Sequence, residues 1–227
     1  MKRSKRYISA EKLVDKNKSY GLEEAITVLK SMTPARFDET VEISGKLEVD
    51  PKQSEQMIRG SVVLPHGTGK NVKVLVFCEP DKEKEASKAG ADYIGSEEVI
   101  DKILKEGWTE FDCCISTPSM MRSVSKLGKF LGPRGLMPSP KTGTVTDNIS
   151  YAVSEAKRGK IDFRMDKFGC IHVGVGKISF DKNKLVENVR SFIEALQAVR
   201  PQSVKGDFIV GIYLSTTMSP SIKLNIQ

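Results

Sequence analysis

From residue 41 to residue 49 apolar and polar positions alternate without a break. Val41, Ile43, Gly45, Leu47 and Val49 fall on one parity, and Thr40, Glu42, Ser44, Lys46 and Glu48 on the other. A period of two sends successive side chains to opposite faces, so the segment predicts a strand with one buried and one solvated side. Met57–Leu64, Ile161–Met165, Cys170–Val175, Phe208–Leu214 and Ile222–Ile226 are further strand-like runs, several with the same alternation. Two helices carry the longer period: Leu22, Ala25, Ile26, Leu29 and Met32 form one stripe. Leu185, Val186, Val189, Phe192, Ile193 and Leu196 form another, in a helix that starts at Asp181 and stops before Pro201.

The middle of the chain has a different rhythm. Val72–Cys78 is a nearly continuous apolar run, as expected of a strand covered on both faces. A charged helical stretch, 81–89, follows and ends at Gly90. Ala91–Gly95 is a second strand, and Ser96 opens a helix with Val99, Ile100, Ile103 and Leu104 on one face, stopped by Gly107. Phe111–Ser116 is a third strand. A helix with Met120, Met121, Val124 and Leu127 comes after Pro118. Strand and helix alternating three times predict a small Rossmann-like parallel sheet flanked by helices, whereas both ends predict antiparallel sheet with helices on one side.

The fold class expected is therefore mixed α/β and α+β in two domains. A discontinuous α+β domain, 1–67 plus 159–227, is interrupted by an inserted α/β domain, 68–158. The two connections fall at Pro65–Gly69 and Arg158–Gly159, which makes Gly67, Gly69 and Gly159 candidate hinge positions, although surface turns use the same residues.

Charge sharpens this division. The 227 residues carry 36 Lys plus Arg against 29 Asp plus Glu, net +7. Such a balance favours nucleic acid or another acidic partner. Within the middle segment, 68–112 is net −4 and 113–158 net +5. Between Cys113 and Thr146 stand Arg122, Lys126, Lys129, Arg134 and Lys141 without one Asp or Glu. Glycines and prolines break up regular structure there, and the run reads either as a solvated loop or as a surface for a polyanion. No apolar run approaches the ~18 residues of a membrane-spanning helix. The basic start, 1–6, lacks the apolar core of a secretory signal, so the expected location is cytoplasmic, with no membrane partner.

The chemistry of catalysis is poorly represented. Gly69-Lys70 and Gly176-Lys177 imitate the end of a P-loop, but Leu64 and Ile171 occupy the earlier glycine positions and Asn71 and Ile178 replace the hydroxyl ligand. Glu79-Pro-Asp-Lys-Glu follows the first middle strand where a dinucleotide site needs glycines. Cys78, Cys113, Cys114 and Cys170 lack metal or disulfide spacing and read as small hydrophobes in strands. His66 and His172 each stand alone. No cofactor or metal is expected, and a metabolic α/β enzyme using the inserted domain is kept as the alternative to a nucleic-acid binder. No helix-turn-helix, finger or basic zipper is present to enter a DNA major groove. RNA suits the chain better: Arg36, Phe37, Thr40, Glu42, Ser44 and Lys46 combine cations, a ring, hydroxyls and a carboxylate able to accept from a ribose 2′-OH. Spacing alone does not separate that from an ordinary solvated strand face. Met218, in the polar turn Ser215–Pro220, is a candidate to pack on sugar and base edges or to fill the core.

Taken together, Arg36-Phe-Asp-Glu-Thr-Val-Glu42, Ile58-Arg-Gly, Leu64-Pro-His-Gly-Thr-Gly-Lys70, Ala89-Gly-Ala-Asp92, Met120-Met, the 126–145 loop, Gly159-Lys-Ile-Asp-Phe-Arg164, Val175-Gly-Lys177 and Thr216-Thr-Met-Ser-Pro220 resemble the L-one family of bacterial-type large-subunit ribosomal proteins, the proteins of the mobile stalk. The resemblance covers essentially the whole chain. It implies that Arg36, Phe37, Thr40, Glu42, Lys46, Asp166, Lys167, Thr217 and Met218 face large-subunit rRNA at the stalk. Lys126, Lys129, Arg134 and Lys141 would be a weaker, secondary RNA contact. It further implies a ribosome-associated protein, monomeric when free, that meets exit-site tRNA and other ribosomal components, assists release of deacylated tRNA, and represses its own operon mRNA. One departure is Ser219, where the family usually has glycine; an added Cβ and hydroxyl there would alter a close approach of backbone to RNA.

Overall fold

The computed structural model describes residues 3–225 other than 33, 34, 52, 96 and 205. Ser96 as helix opener and Ile226 as strand end therefore lie outside the described residues. The chain divides into two compact units: 1–69 joined with 161–227, and 70–160 between them.

The first part of the terminal unit comprises α1 (Lys5–Glu11), α2 (Leu22–Ser31), β1 (Thr40–Leu47) and β2 (Arg59–Val63). Ser4 caps α1, its hydroxyl accepting from Tyr7 N at 3.3 Å. Glu23 and Glu24 at the start of α2 and Lys30 at its end suit the helix dipole.

The middle unit alternates β3 (Val74–Phe77), α3 (Glu83–Lys88), β4 (Tyr93–Gly95), α4 (Glu97–Glu106) and β5 (Cys113–Ser116). The short helices α5 (Met121–Val124) and α6 (Gly128–Leu131) come next, then α7 (Ile149–Lys157). Its sheet has the order β4-β3-β5, all parallel. Val74, Val76 and Cys78 face a core made with α3 and α7, through Ala86, Ile149, Ala152, Val153 and Ala156. Leu75 and Phe77 face the opposite core, with Ile100, Ile103, Val124, Leu127 and Leu131. A strand buried on both sides has to be apolar at every position, which is why 74–78 shows no alternation.

The chain returns through β6 (Lys160–Arg164), β7 (Cys170–Lys177), α8 (Lys182–Ala198), β8 (Ile209–Thr216) and β9 (Ile222–Leu224). The main sheet is β7-β1-β8-β9, antiparallel throughout. One core gathers Val41, Ile43, Leu47, Ile171, Val175, Ile212, Leu214 and Ile222 from the strands with Ile26 and Leu29 of α2 and Leu185, Val189, Phe192 and Leu196 of α8. All these apolar side chains leave the sheet on one face, so both helices cover that face.

Two details go beyond the sequence reading. The strands β2 and β6, in the expected runs Met57–Leu64 and Ile161–Met165, pair with each other in a separate two-stranded sheet among the described residues. Phe163 of β6 inserts its ring against Phe192 of α8, centroids 5.5 Å apart and nearly perpendicular. A Cβ on Gly60 of β2 would lie 2.7 Å from that ring, so the missing side chain makes its room. Helices α1 and α7 are additions to the elements expected. Alpha-helical spacing is present in Ile149, Ala152, Val153 and Ala156, all buried, whereas α1 buries only Ala10 and shows no stripe.

Candidate nucleic-acid interface

The outward face of the main sheet is polar, and β1 runs through its centre. Glu42 lies opposite Gly174 of β7 and Ser215 of β8, Ser44 opposite His172 and Tyr213, and Lys46 opposite Cys170 and Gly211. A register shift between Val41 and Glu42 brings Lys177 beside Thr40. The Lys177 ammonium donates to Thr40 Oγ1 at 2.9 Å, and Ser44 Oγ lies 3.1 Å from His172 Nδ1. Glu42, Lys46, His172 and Tyr213 are exposed along this surface.

At one end of the face, two loops are tied together by a residue outside the expected site. Glu39 is 4% exposed. One of its oxygens accepts from Ala35 N at 2.8 Å and pairs with Arg6 Nη1 at 3.3 Å. The other accepts from Thr216 Oγ1 at 2.6 Å and from Met218 N at 3.0 Å. Burial pushes the carboxyl pKa up. The hydrogen bonds from Thr216, Ala35 and Met218, with the Arg6 charge, outweigh that and hold it below the ordinary glutamate value. The loop of Arg36 and Phe37 is thus fastened to the turn of Thr217 and Met218. Phe37 is 53% exposed and Met218 50%. Thr217 extends the ladder, its N donating to Thr40 O and its Oγ1 accepting from Thr40 N, each at 3.2 Å. A sequence signal for Glu39 exists: it shares the parity of Val41 and Ile43, so the alternation carried back one step turns it inward.

Ser219 closes the same turn. Its hydroxyl accepts from Thr216 N at 2.8 Å and donates to Pro220 O at 3.0 Å. Both of these bonds are to the backbone of its own turn.

At the other end, the turn between β6 and β7 holds Asp166 and Lys167. Asp166 Oδ1 accepts from Phe168 N and Cys170 N, each at 2.8 Å. Those bonds, Cys170 first, hold its carboxyl below the ordinary aspartate value against a partial burial penalty, with help from the charges of His172 and Lys46. Lys46 donates to the Phe168 carbonyl oxygen. Of the nine expected main-site residues, Arg36, Phe37, Thr217 and Met218 lie in the loops at the Thr40 end of β1, Asp166 and Lys167 in the turn at its Lys46 end, and Glu42 on the strand between.

Lys126, Lys129, Arg134 and Lys141 lie in the middle unit, exposed, on a segment of short helical turns more ordered than the expected loop. None of them forms an ion pair among the described residues. In the same unit Ser139, Thr142 and Thr144 form a buried hydroxyl network. Ser139 N donates to Thr144 Oγ1 at 2.8 Å, and the Thr142 and Thr144 hydroxyls lie 3.1 Å apart.

Gly67, Gly69 and Gly159 all have positive φ, 64°, 74° and 99°. The first is held to the terminal unit by hydrogen bonds. Buried Asn188 of α8 accepts from His66 N at 3.1 Å and donates to Gly67 O at 2.9 Å and Val175 O at 2.8 Å. A Cβ on Gly69 would meet Lys177 Cγ at 2.9 Å. His66 Nε2 lies 2.5 Å from Glu187. No group of His, Cys, Asp and Glu among the described residues is arranged to hold a metal. Cys78 and Cys114 are buried as expected, but Cys113 and Cys170 are only half-buried. No helix among the described residues is long and apolar enough to cross a membrane.

Residues 29–220 match the ribosomal protein L1p/L10e family. The chain is 56% identical over 228 residues to the large ribosomal subunit protein uL1 of Persephonella marina, covering 99% of this chain and 94% of that one. It is 54% identical to the protein of the same name from Fervidobacterium nodosum, covering 100% and 96%. It is 52% identical to that of Protochlamydia amoebophila, covering 99% and 94%. With a family match across most of its length and relatives aligned nearly end to end, the chain belongs to the ribosomal protein L1p/L10e family.

Proposed function

We propose that this protein, a constituent of the large ribosomal subunit, grips large-subunit rRNA at the mobile stalk with the outward face of its four-stranded sheet. Arg36, Lys46 and Lys167 contact phosphates. Glu42 and Asp166 accept from ribose hydroxyls, Thr40 and Thr217 offer hydroxyls to the sugar-phosphate backbone, and Phe37 and Met218 pack on sugar and base edges. What carries this reading is the Glu39 junction: a buried carboxylate is spent on holding two loops, each with a half-exposed apolar side chain, at one end of a polar face. Of the acceptors, Glu42 has the freer carboxylate, because Asp166 already commits one oxygen to its own turn.

Membership of a family of ribosomal proteins removes the enzyme alternative; the chain is not an enzyme. The finer roles follow the same reading. The inserted unit offers Lys126, Lys129, Arg134 and Lys141 as a weaker RNA contact. The free protein is a cytoplasmic monomer that represses its operon mRNA through the same face, and on the ribosome it assists release of deacylated tRNA from the exit site. Since Asn188 fastens 66–67 to α8, Gly69 in the first connection and Gly159 in the second are the hinge positions left for any relative movement of the units.

The test is binding of the purified protein to a stalk rRNA fragment and to a scrambled RNA of equal length, over a series of salt concentrations, with Thr217→Ala and Met218→Ala in parallel. The stalk fragment is expected to bind tighter, with a log-log salt slope of roughly −0.7 for each phosphate neutralised on single strands, steeper on duplex. Both variants should weaken it. Equal affinity for the two RNAs removes the proposal.

A further inference from the structure

Phe168 is the most exposed of the large apolar side chains among the described residues, at 65%. A single exposed phenylalanine is ordinary on a protein surface. This one sits on a backbone that is held at every step. Its N–H donates to Asp166 Oδ1 at 2.8 Å and its carbonyl accepts from the Lys46 ammonium. The neighbouring Gly169 carbonyl accepts from Leu47 N at 2.9 Å, and Gly169 has a φ of 75°, a conformation that favours glycine. The turn is therefore docked on the end of β1, and the ring is displayed from a fixed base.

Its surroundings are those of a stacking platform. Lys167 Nζ lies 5.2 Å from the ring centroid, and Lys46 reaches the same residue from β1. An exposed ring with the Lys167 ammonium beside it, on a turn whose backbone Lys46 holds, combines a π-face for a base with positive charge for the adjoining phosphates. It also lies at the far end of the sheet from Phe37 and Met218. Six strand steps separate Thr40 from Lys46, about 20 Å at a rise of ~3.3 Å per residue. The polar face is thus bracketed by apolar groups at both ends.

We propose that Phe168 stacks on an unpaired base of the bound RNA, with Lys46 and Lys167 on the flanking phosphates. The site would take a looped-out or internal-loop nucleotide, since a base kept in a duplex has both faces covered by its neighbours. This rests on the RNA-binding reading above and adds to it a second anchor point and a requirement for an unpaired nucleotide.

The experiment uses the full chain and three RNAs: a stalk rRNA fragment, the same fragment with its unpaired positions given complements, and a scrambled RNA. Phe168→Ala is expected to weaken binding to the native fragment about tenfold, the size of one base-to-ring stack. Its salt slope should be unchanged, because no phosphate contact is removed. Phe168→Tyr keeps the ring and should bind as the parent does. On the fully paired fragment, Phe168→Ala and the parent should be equal. If Phe168→Ala matches the parent on the native fragment while the parent still prefers it to scrambled RNA, the stacking proposal is overturned and the function above stands. The same loss on native and paired fragments also overturns it. If the parent does not distinguish native from scrambled RNA, the functional reading falls and takes this inference with it.

Discussion

The Thr216 hydroxyl donates a 2.6 Å hydrogen bond to the buried carboxylate of Glu39, 177 residues earlier in the chain. That bond joins the entrance of β1 to the exit of β8. Because the same carboxylate also accepts from Met218 N, the position of the exposed Met218 side chain depends on a group that no ligand would touch.

Glu39→Ala is therefore expected to cost about 2–3 kcal/mol, the range for hydrogen bonds to a charged group whose partners remain buried. It should also weaken RNA binding by loosening the Met218 turn. Urea unfolding measures the first effect and RNA titration the second; a variant as stable as the parent would show that the junction does not support the fold.

The pH dependence follows from the lowered folded pKa of Glu39. Its contribution is present at pH above the unfolded glutamate value and is lost as pH falls through the folded value. Parent stability should thus decline on acidification, and Glu39→Gln should decline less over the same range. Parallel acid-range unfolding curves for the two would contradict this sign.

Asn188 directs its side-chain amide inward, hydrogen-bonding His66 N, Gly67 O and Val175 O. Asn188→Leu leaves these backbone groups without that partner, and stability should fall by about 1–3 kcal/mol. Thermal unfolding of the full chain checks it, and an unchanged Tm rules it out.

Ser219→Gly removes the hydroxyl that closes the 216–219 turn. The expected result is a loss of about 1 kcal/mol in stability. Any drop in RNA affinity should be small, since the hydroxyl faces its own backbone. A gain in stability would mean that backbone freedom at 219 outweighs the two hydrogen bonds.

Replacing Lys126, Lys129, Arg134 and Lys141 together by Gln should leave stability nearly unchanged, as none is in an ion pair among the described residues. If the middle unit touches RNA, the log-log salt slope becomes shallower by roughly 0.7 for each phosphate no longer neutralised on single strands. An unchanged slope assigns all phosphate neutralisation to the terminal unit.

Alternation reads the strands of the main sheet and helical period the stripes of α2, α4 and α8, because burial on one side imposes those periods locally, while burial on both sides marks β3 by an unbroken apolar run. The outward parity of Thr40, Glu42, Ser44 and Lys46 is legible for the same reason. Phe168, between Lys167 and Gly169, is not, because exposure at a turn leaves no periodic trace. The separate pairing of β2 with β6 is equally hidden, since it depends on Phe163 meeting Phe192 across the fold.

By itself the sequence determined the local elements, the parity of each amphipathic strand, the uncompensated basic segment and, through its long motifs, the family. Only the tertiary structure decided that Glu39, Ala35, Arg6, Thr216 and Met218 converge on one buried carboxylate, and that Asp166 and Ser219 spend their polar atoms on their own turns. Periodicity reports which way a side chain leaves its own backbone. The partner it meets there is set by chain closure over long separations, which no local pattern encodes.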